Sequence, residues 1–592
     1  MSFLGVGESA KGFTWIERRG EEALVQQLAA LPGVDPFAAH LLAARQVSPD
    51  TLETFLRPRL RDLLPDPNRL KGFEAFETAF FAAQQNGEPI GILADYDVDG
   101  ATSAAVLVAL LRALDLEFEL YVPDRLREGY GPSDQAFLHF ARAGVRTVIC
   151  LDCGSMAHGP VQRAEAAGQT VLIIDHHLID GAPPAVTAHI NPNQEGCDSA
   201  IGTCAAVGVC FTVVVGLRRS AIGRGLPCDL DLMALLDLVA LGTVCDVVPL
   251  VGLNRAFVLQ GLKVWPQTQN VGMQALLNIL PKAPRFDGSL AGFQIGPRLN
   301  AAGRIGPSDM AARLLTGDDP AAAQRFAQEL DRLNQQRREI EADVLAQARL
   351  ALAAQQEAEA DMPINLVADP SWHPGVVGIV AGRLKDSTGK PSIVLGGQAG
   401  QDALTGSGRS VPGFDLGAAV LDLRARGVLS SGGGHAMAAG LKVAPENMAD
   451  LRAGLKAAYV AAHEEKDLRK ERAIDLAIRP GAATGALAEF LTKLEPYGAA
   501  NPEPKVAVTS VTVEFMALVG KNHLKVTLVD GAGDRLKGIA FRASGTALET
   551  ILRQGRDAQI HVVGSLTLDT WQGGDTAQLL IDDAALDTAT RQ

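Results

Sequence analysis

The chain has 592 residues, 47% of them hydrophobic and 21% charged, with 61 glycines and 31 prolines. That balance belongs to a globular protein of about four modules at roughly 150 residues each, and it excludes a largely disordered or collagen-like chain. The formal net charge of −14, taken as a total, argues against a nucleic-acid partner.

In chain order, residues 1–75 read as a helical leader whose short helices are broken by Pro32, Pro36, Pro58, Pro65 and Pro67. From Ile90 the pattern alternates. Strands are predicted at 90–94, 117–122, 146–151, 170–174 and 186–190, with helices at 101–114, 158–167, 199–217 and 230–241. Such alternation predicts an α/β fold with a doubly wound, largely parallel sheet. Residues 200–217 carry no charge and reach the lower length limit for a membrane span, but their glycines and threonines predict a buried helix. No membrane attachment is expected.

A long polar helix is predicted at 320–355, where Phe326, Leu330, Leu333, Ile340 and Val344 keep steps of three, four and seven. Such a helix connects two lobes. The second α/β lobe runs from about 364 to 463 and is followed by the charged stretch 464–472, which reads as a linker. Strands are then predicted at 506–519, 523–529, 536–542, 560–568 and 576–581, enough for a five-stranded OB-like barrel. The predicted domains are therefore 1–75, 76–310, 311–362 (the connecting helix), 363–465 and 466–592. Seven cysteines without a signal-peptide pattern point to a reducing, cytoplasmic setting. Cys150 and Cys153 form one C-x-x-C with no second pair, and both read as core residues.

The chemistry lies at the ends of the first strands. The strand at 90–94 runs into Asp95-Tyr96-Asp97-Val98-Asp99-Gly100, immediately before a helix. One aspartate would cap that helix; three in five residues repel one another unless a cation neutralises them. The strand at 146–151 ends in Asp152, the strand at 170–174 in Asp175-His176-His177, and a later helix in Cys245-Asp246. In an open α/β sheet, the carboxyl ends of the strands line the ligand crevice. Five or six carboxylates with one or two imidazoles exceed the needs of one ion and suit two. Oxygen and nitrogen donors without thiolate point to Mn²⁺ or Mg²⁺. The reaction class is hydrolysis of a phosphoester or phosphoanhydride.

These residues resemble the DHH phosphoesterase superfamily, and most closely its RecJ-type branch of single-strand-specific exonucleases. The matching stretches are DYDVDGATSA (95–104), LDCG (151–154), DHH (175–177), GTVCDVVPL (242–250), GPRLNAAGRIG (296–306), WHPGVVGIVAGRL (372–384), GSGRS (406–410) and GGGHAMAAG (432–440). The resemblance implies two divalent ions, Mn²⁺ preferred and Mg²⁺ possible. Their ligands would be Asp97, Asp99, Asp152, His176 and Asp246, with Asp152 bridging. Asp95 and Asp175 would orient ligands, and His177 would ligate or face the scissile phosphate as an acid. Some superfamily members carry a histidine four residues before the first liganding aspartate; Leu93 stands there in this chain.

The second lobe resembles the DHHA1 domain. Arg304, Ser407 and Arg409 would form a 5′-phosphate pocket, with Gly433, Gly434 and His435 beside it. Arg298, Asn300, Trp372 and His373 stand between binding and packing. The resemblance implies a 5′-to-3′ exonuclease that releases mononucleotides from single-stranded DNA in recombination and repair. Single-strand-binding protein and a RecQ-type helicase are partners implied by the family. Alternatives are another phosphoesterase of the superfamily, acting on pyrophosphate, short oligonucleotides or cyclic dinucleotides, and a non-catalytic scaffold at the replication fork.

Charge by region qualifies the opening total. Residues 505–556 carry eight basic against four acidic residues, while 557–590 carry six aspartates and no Lys or Arg. The barrel is thus expected to have a basic face, on which Phe515, Phe541 and Trp571 either stack bases or fill the core.

Overall fold

The computed structural model describes residues 2–587 apart from 126, 282–284, 360, 398–401, 464–469 and 570–575. The chain divides into two compact units: residues 1–63, 249–256 and 469–592 form one, and 64–248 with 257–468 the other.

The larger unit starts with a sheet of five parallel strands: β1 (Ile90–Ala94), β2 (Phe118–Tyr121), β3 (Thr147–Leu151), β4 (Thr170–Ile174) and β5 (Ala188–Ile190). Their order is β2-β1-β3-β4-β5. β1 and β3 are buried along their whole length, which is why they read as unbroken apolar runs rather than alternating ones. The order reverses between β1 and β3. That switch point is where a doubly wound sheet opens a crevice at its carboxyl edge, and Asp95 and Asp152 flank it.

Helix α1 (Val98–Ala113) begins at once after β1, capped by Asp97, whose side chain accepts from the amides of Asp99 and Gly100. The turn is so tight that a Cβ on Gly100 would lie 2.4 Å from the Asp95 carbonyl oxygen. The apolar stretch forms helix α2 (Ala206–Gly223), which is 67% buried, and it starts later than the expected residue 199. Its first amides, at Ala206 and Val207, donate to the Asp99 carboxylate, so the helix can begin only where it meets that side chain. Helix α3 (Leu236–Cys245) also starts late, because Asp231 turns the preceding chain by accepting from the Met233 amide.

Helix α4 (Gly296–Ile305) leads toward α5 (Pro320–Ala358), 39 residues long and about 58 Å by the rise of an α-helix. Asp319 caps α5 and Pro320 opens it. Along its length it buries Leu330, Leu333, Val344, Ala348 and Leu352. The second lobe has strands β6 (Asn365–Asp369), β7 (Ser392–Gly396), β8 (Leu404–Arg409), β9 (Ser431–His435) and β10 (Ala438–Val443) in the order β9-β10-β8-β7-β6. Helix α6 (Pro374–Thr388) packs on α5, β7 and β8.

In the smaller unit, β11 (Val506–Val519), β12 (His523–Val529), β13 (Arg535–Ala540), β14 (Ile560–Leu568) and β15 (Ala577–Leu586) make the OB-like barrel. Antiparallel pairing of β11 with β14 closes it, and β13 meets β15 in parallel. A short strand, Leu476–Ile478, adds to β11. Of residues 1–75, read in the sequence as a helical leader, 1–63 pack here. Thr14–Glu17 pairs in parallel with Glu471–Ile474. Leu28, Leu41 and Leu42 share one core with Val506, Val526 and Val562. The fully buried Asp583 accepts from Ser9 Oγ (2.6 Å) and Trp15 Nε1 (3.4 Å).

Gly242 on α3 marks a close approach to the helices beside it: a Cβ there would lie 2.4 Å from Thr102 Oγ1 and 2.7 Å from Val207 Cγ1. Gly242→Ala should therefore destabilise the protein by about 1–3 kcal/mol through overpacking. A thermal melt indistinguishable from wild type would contradict that packing.

Candidate functional site

Aspartates from β1, β3 and α3 meet the histidines after β4 at the sheet's carboxyl edge. His176 Nε2 lies 3.3 Å from Asp152 Oδ1, 3.6 Å from Asp246 Oδ2 and 3.8 Å from Asp99 Oδ2. Oxygens of Asp95, Asp97 and Asp152 gather within 4.8 Å of one another. Of the eleven buried side-chain atoms without a hydrogen-bond partner among the described residues, four belong to this cluster: Asp95 Oδ1, Asp152 Oδ1, Asp246 Oδ2 and His176 Nε2. Buried polar atoms are otherwise nearly always paired, so four orphans pointing at one place mark a space built for a cation.

The electrostatics say the same. Burial first, then Asp97, pushes Asp95 well above the usual carboxylate range. Burial, then Asp246 and Asp97, does so for Asp99; burial, then Asp99, does so for Asp152. Asp246 is pushed up to about 7, by burial and by Asp97. Burial lowers His176 to about 4, which keeps its imidazole neutral and fit to ligate, while its ring is also hydrogen-bonded to the Cys204 backbone. Asp152 reaches its place with φ +61°, a left-handed conformation rare outside glycine. Oxygen donors with one or two imidazoles fit a divalent ion of the Mn²⁺ or Mg²⁺ kind.

Asp175 does different work. Its Oδ1 accepts from the His176 amide and from His177 Nδ1 (2.7 Å), and its Oδ2 from the Ser155 amide. Burial alone would raise its pKa, but His177 and Ser155 outweigh burial and hold it well below the usual range. In return Asp175 raises His177 against the effect of burial. Three side chains that the sequence reading missed complete this loop. Asn191 donates to the His177 carbonyl and Asn193 to the His176 carbonyl. Tyr130 Oη lies 2.9 Å from the Asp152 carbonyl and 3.1 Å from His177 Nδ1. The signal available for the asparagines was Asn191-Pro192-Asn193 directly after β5, at the same sheet edge.

The second lobe contributes a cationic cradle. Arg409 Nη1 donates to Ser407 Oγ at 2.9 Å, and both side chains lie against Gly378 of α6. Arg304, at the end of α4, donates to the Gly375 carbonyl and is lowered to about 10 by burial and by Arg125, Arg337 and Arg409. Arg125, which no motif flagged, stands over the Tyr96 ring at 5.1 Å, and its charge also lowers Arg409, after burial. Guanidiniums crowded in this way favour an anion between them.

The glycine triplet proves to be part of strand β9 rather than a turn. Across the sheet, Ser407 is in register with Gly440 and Gly433, and Arg409 with Ala438 and His435. These two rows share one face of the sheet. Nothing stands within 4 Å above Gly433 or Gly440, so the floor beside Ser407 and Arg409 is open. Gly434, at φ +151°, turns toward the exposed His435.

The four remaining candidates are placed differently. Arg298 is tied to Asp331 of α5 at 2.8 Å and to the Gln294 carbonyl, and Asn300 sits half-buried on α4. Trp372 is a core residue bonded to Gln347, and His373 caps α6 by accepting from the Gly375 amide. Cys150 and Cys153 are buried, as the sequence predicts. On the barrel, Phe515 and Phe541 are exposed and His523 meets Phe541 edge to face; Trp571 lies outside the described residues. Lys505 is paired with Asp582, so part of the basic segment is neutralised within the barrel.

Comparison with known proteins matches three family models to consecutive parts of the chain: the DHH family N-terminal domain at 89–243, the DHHA1 domain at 361–461 and the RecJ OB domain at 474–583. The single-stranded-DNA-specific exonuclease RecJ of Bacillus subtilis is 33% identical over 98% of this chain and 71% of its own. That of Escherichia coli is 34% identical over 94% of this chain and 97% of its own. The chain belongs to the RecJ exonuclease family. A crystal structure of RecJ with Mn²⁺ from Thermus thermophilus superposes with a TM-score of 0.78 at 29% identity, covering 95% of this chain and 78% of that one. The Mg²⁺ complex of the same protein gives 0.72.

Family membership accounts for the buried acids, whose charge calls for a cation, and this has a measurable consequence. Below about pH 3.8 the folded and unfolded states both hold the Asp246 proton; between there and about pH 7 only the folded state does. That contribution to stability is complete below about 3.8 and lost as pH rises through about 7. Asp95, Asp99 and Asp152 act with the same sign, and His176, neutral down to about 4, runs against them. In chelator, the melting temperature should fall as pH rises toward 7, and Mn²⁺ should reverse the fall. A melting temperature insensitive to both would leave the cluster without its cation.

Proposed function

We propose that the chain is a divalent-metal-dependent exonuclease that removes 5′-mononucleotides from single-stranded DNA in the 5′-to-3′ direction, in recombination and repair. The observation that carries this reading is the orphaned acid–imidazole cluster at the sheet edge of a unit that also holds the arginine–serine cradle. One part of such a site suits phosphoryl hydrolysis, and the other suits a terminal phosphate. The relatives named as single-stranded-DNA-specific exonucleases support the substrate.

In this reading Asp97, Asp99, Asp152, His176 and Asp246 would hold two ions, Mn²⁺ or Mg²⁺. When bound, such ions activate water and neutralise charge on the phosphoryl group, worth several kcal/mol. Asp97 has one oxygen engaged by the α1 amides, which leaves the other for a metal. Asp99 is oriented by the α2 amides, and Asp175 holds His177 by Nδ1. His177, its proton favoured by Asp175, serves the phosphate as a hydrogen-bond donor or acid. Asp95 orients the ligands beside it. Leu93 stands where some members of the superfamily have histidine, so fewer side chains would be available to hold the first ion. Arg304, Ser407 and Arg409, with Arg125 beside them and the open row at Gly433, Gly434 and His435, hold the 5′ phosphate. Their distance from the metal cluster sets how many nucleotides leave at each cut.

Digestion of 5′- and 3′-labelled single strands with Mn²⁺, Mg²⁺ or chelator tests this. Mononucleotides should appear first from the 5′ label and not at all in chelator; release from the 3′ label first would overturn the polarity. Asp152→Ala should lower the rate by about 10³-fold or more, as loss of several kcal/mol of charge stabilisation requires, while strand binding persists. Arg409→Ala should reduce the preference for a 5′-phosphorylated end by about 10- to 100-fold, the loss of one charged hydrogen-bond pair. An unchanged preference would remove Arg409 from the pocket.

A further inference from the structure

Phe293 has no part in the chemistry above, yet it is 75% exposed on a rigid mount. It sits in the middle of a single π-helical turn, Ala291–Ile295, that runs directly into α4. The residues two before and two after it, Ala291 and Ile295, are fully buried. Such turns widen a helix by one residue, push a side chain out of the regular spacing, and occur often at functional sites.

The turn is fastened to the metal centre. Gly292 faces Val244 (3.5 Å to Cγ1 from a Cβ built there), and Gly296 leaves room for Cys245 Sγ, which donates to the Ala291 carbonyl. Val244 and Cys245 are the two residues before Asp246. On the other side, Arg298 accepts no strain of its own: it binds the Gln294 carbonyl and Asp331 of α5, which pins the turn to the long helix. Eleven residues further on, about 16 Å along the helix, stands Arg304 of the cradle. The turn that carries the ring is thus fastened to the residues just before Asp246 and joined to Arg304 of the cradle by one continuous helical segment.

We propose that Phe293 is a stacking platform for one nucleobase of the strand being cut, and that it contributes to selection of single strands. This rests on the proposed nuclease function and deepens it. Every base has a π face, so stacking tolerates any sequence, as an end-digesting enzyme needs. A base inside a duplex has both faces covered and cannot take the site. A polar residue would leave the base solvated; an exposed phenyl ring, on a turn anchored to the helix end that carries Asp246, is explained by an aromatic partner.

The test uses the full-length protein with Mn²⁺ and 5′-phosphorylated single strands, either intact or with one abasic nucleotide at each of the first several positions. Phe293→Ala should raise KM on the intact strand by about tenfold, and Phe293→Tyr should restore it. With an abasic nucleotide at the stacked position, wild type and Phe293→Ala should become equal. The inference is overturned if Phe293→Ala matches wild type on intact strands, or if its defect is the same at every abasic position. Loss of the Mn²⁺-dependent melting shift in the alanine variant also overturns it, since the ring would then be a support for the metal cluster. Failure of wild type to digest any strand overturns the nuclease reading itself, a result separate from all of these.

Discussion

Mutual repulsion among buried carboxylates is the constraint on which the rest of this structure depends. Asp95, Asp99, Asp152 and Asp246 are each driven toward the neutral form by burial and by one another. A fold that holds them together without a cation does so at the expense of its own stability. The compensation is local and specific. The amides that begin α1 hold Asp97, those that begin α2 hold Asp99, and Asp175 is satisfied by Ser155 and His177. Helix N-termini are suited to this task, because their free amides and dipole favour negative charge.

The same logic with the sign reversed organises the second lobe. Arg125, Arg304 and Arg409 crowd positive charge that only an anion relieves. The long helix α5 and the α4–α6 contact at Gly375 keep that cradle in one compact unit with the acids. A phosphodiester strand, with its negative charge and its need for metal-assisted hydrolysis, suits both halves. The net charge of −14 gave no hint of this. Six of the acidic residues behind that total are Asp95, Asp97, Asp99, Asp152, Asp175 and Asp246, gathered at one edge of the first sheet.

How much was legible beforehand differs from element to element. The five strands of the first sheet were readable because parallel strands buried on both faces are short apolar runs. The aspartates at their ends were conspicuous because nothing in strand or turn chemistry asks for them. Helix α2 was placed seven residues early, since its true start is set by Asp99, more than a hundred residues upstream. Spacing alone did not reveal that the glycine triplet 432–434 is a strand, whose place beside Ser407 comes from its register with Gly440. Trp372 and Arg298 were open between binding and packing, and they are engaged by Gln347 and Asp331 of α5.

The sequence by itself determined the chemistry. Residue types that can ligate a divalent ion recur at the ends of consecutive strands, and the topology of a doubly wound sheet leaves those ends side by side. Only the tertiary structure decided which arginines converge, that residues 1–63 complete the barrel's core, and which aromatic rings face solvent. Each of these depends on contacts between residues far apart in the chain, such as Ser9 with Asp583 or Arg304 with the Gly375 carbonyl. Local spacing carries no record of such contacts, because the energy that selects them is that of burial and charge in the assembled core.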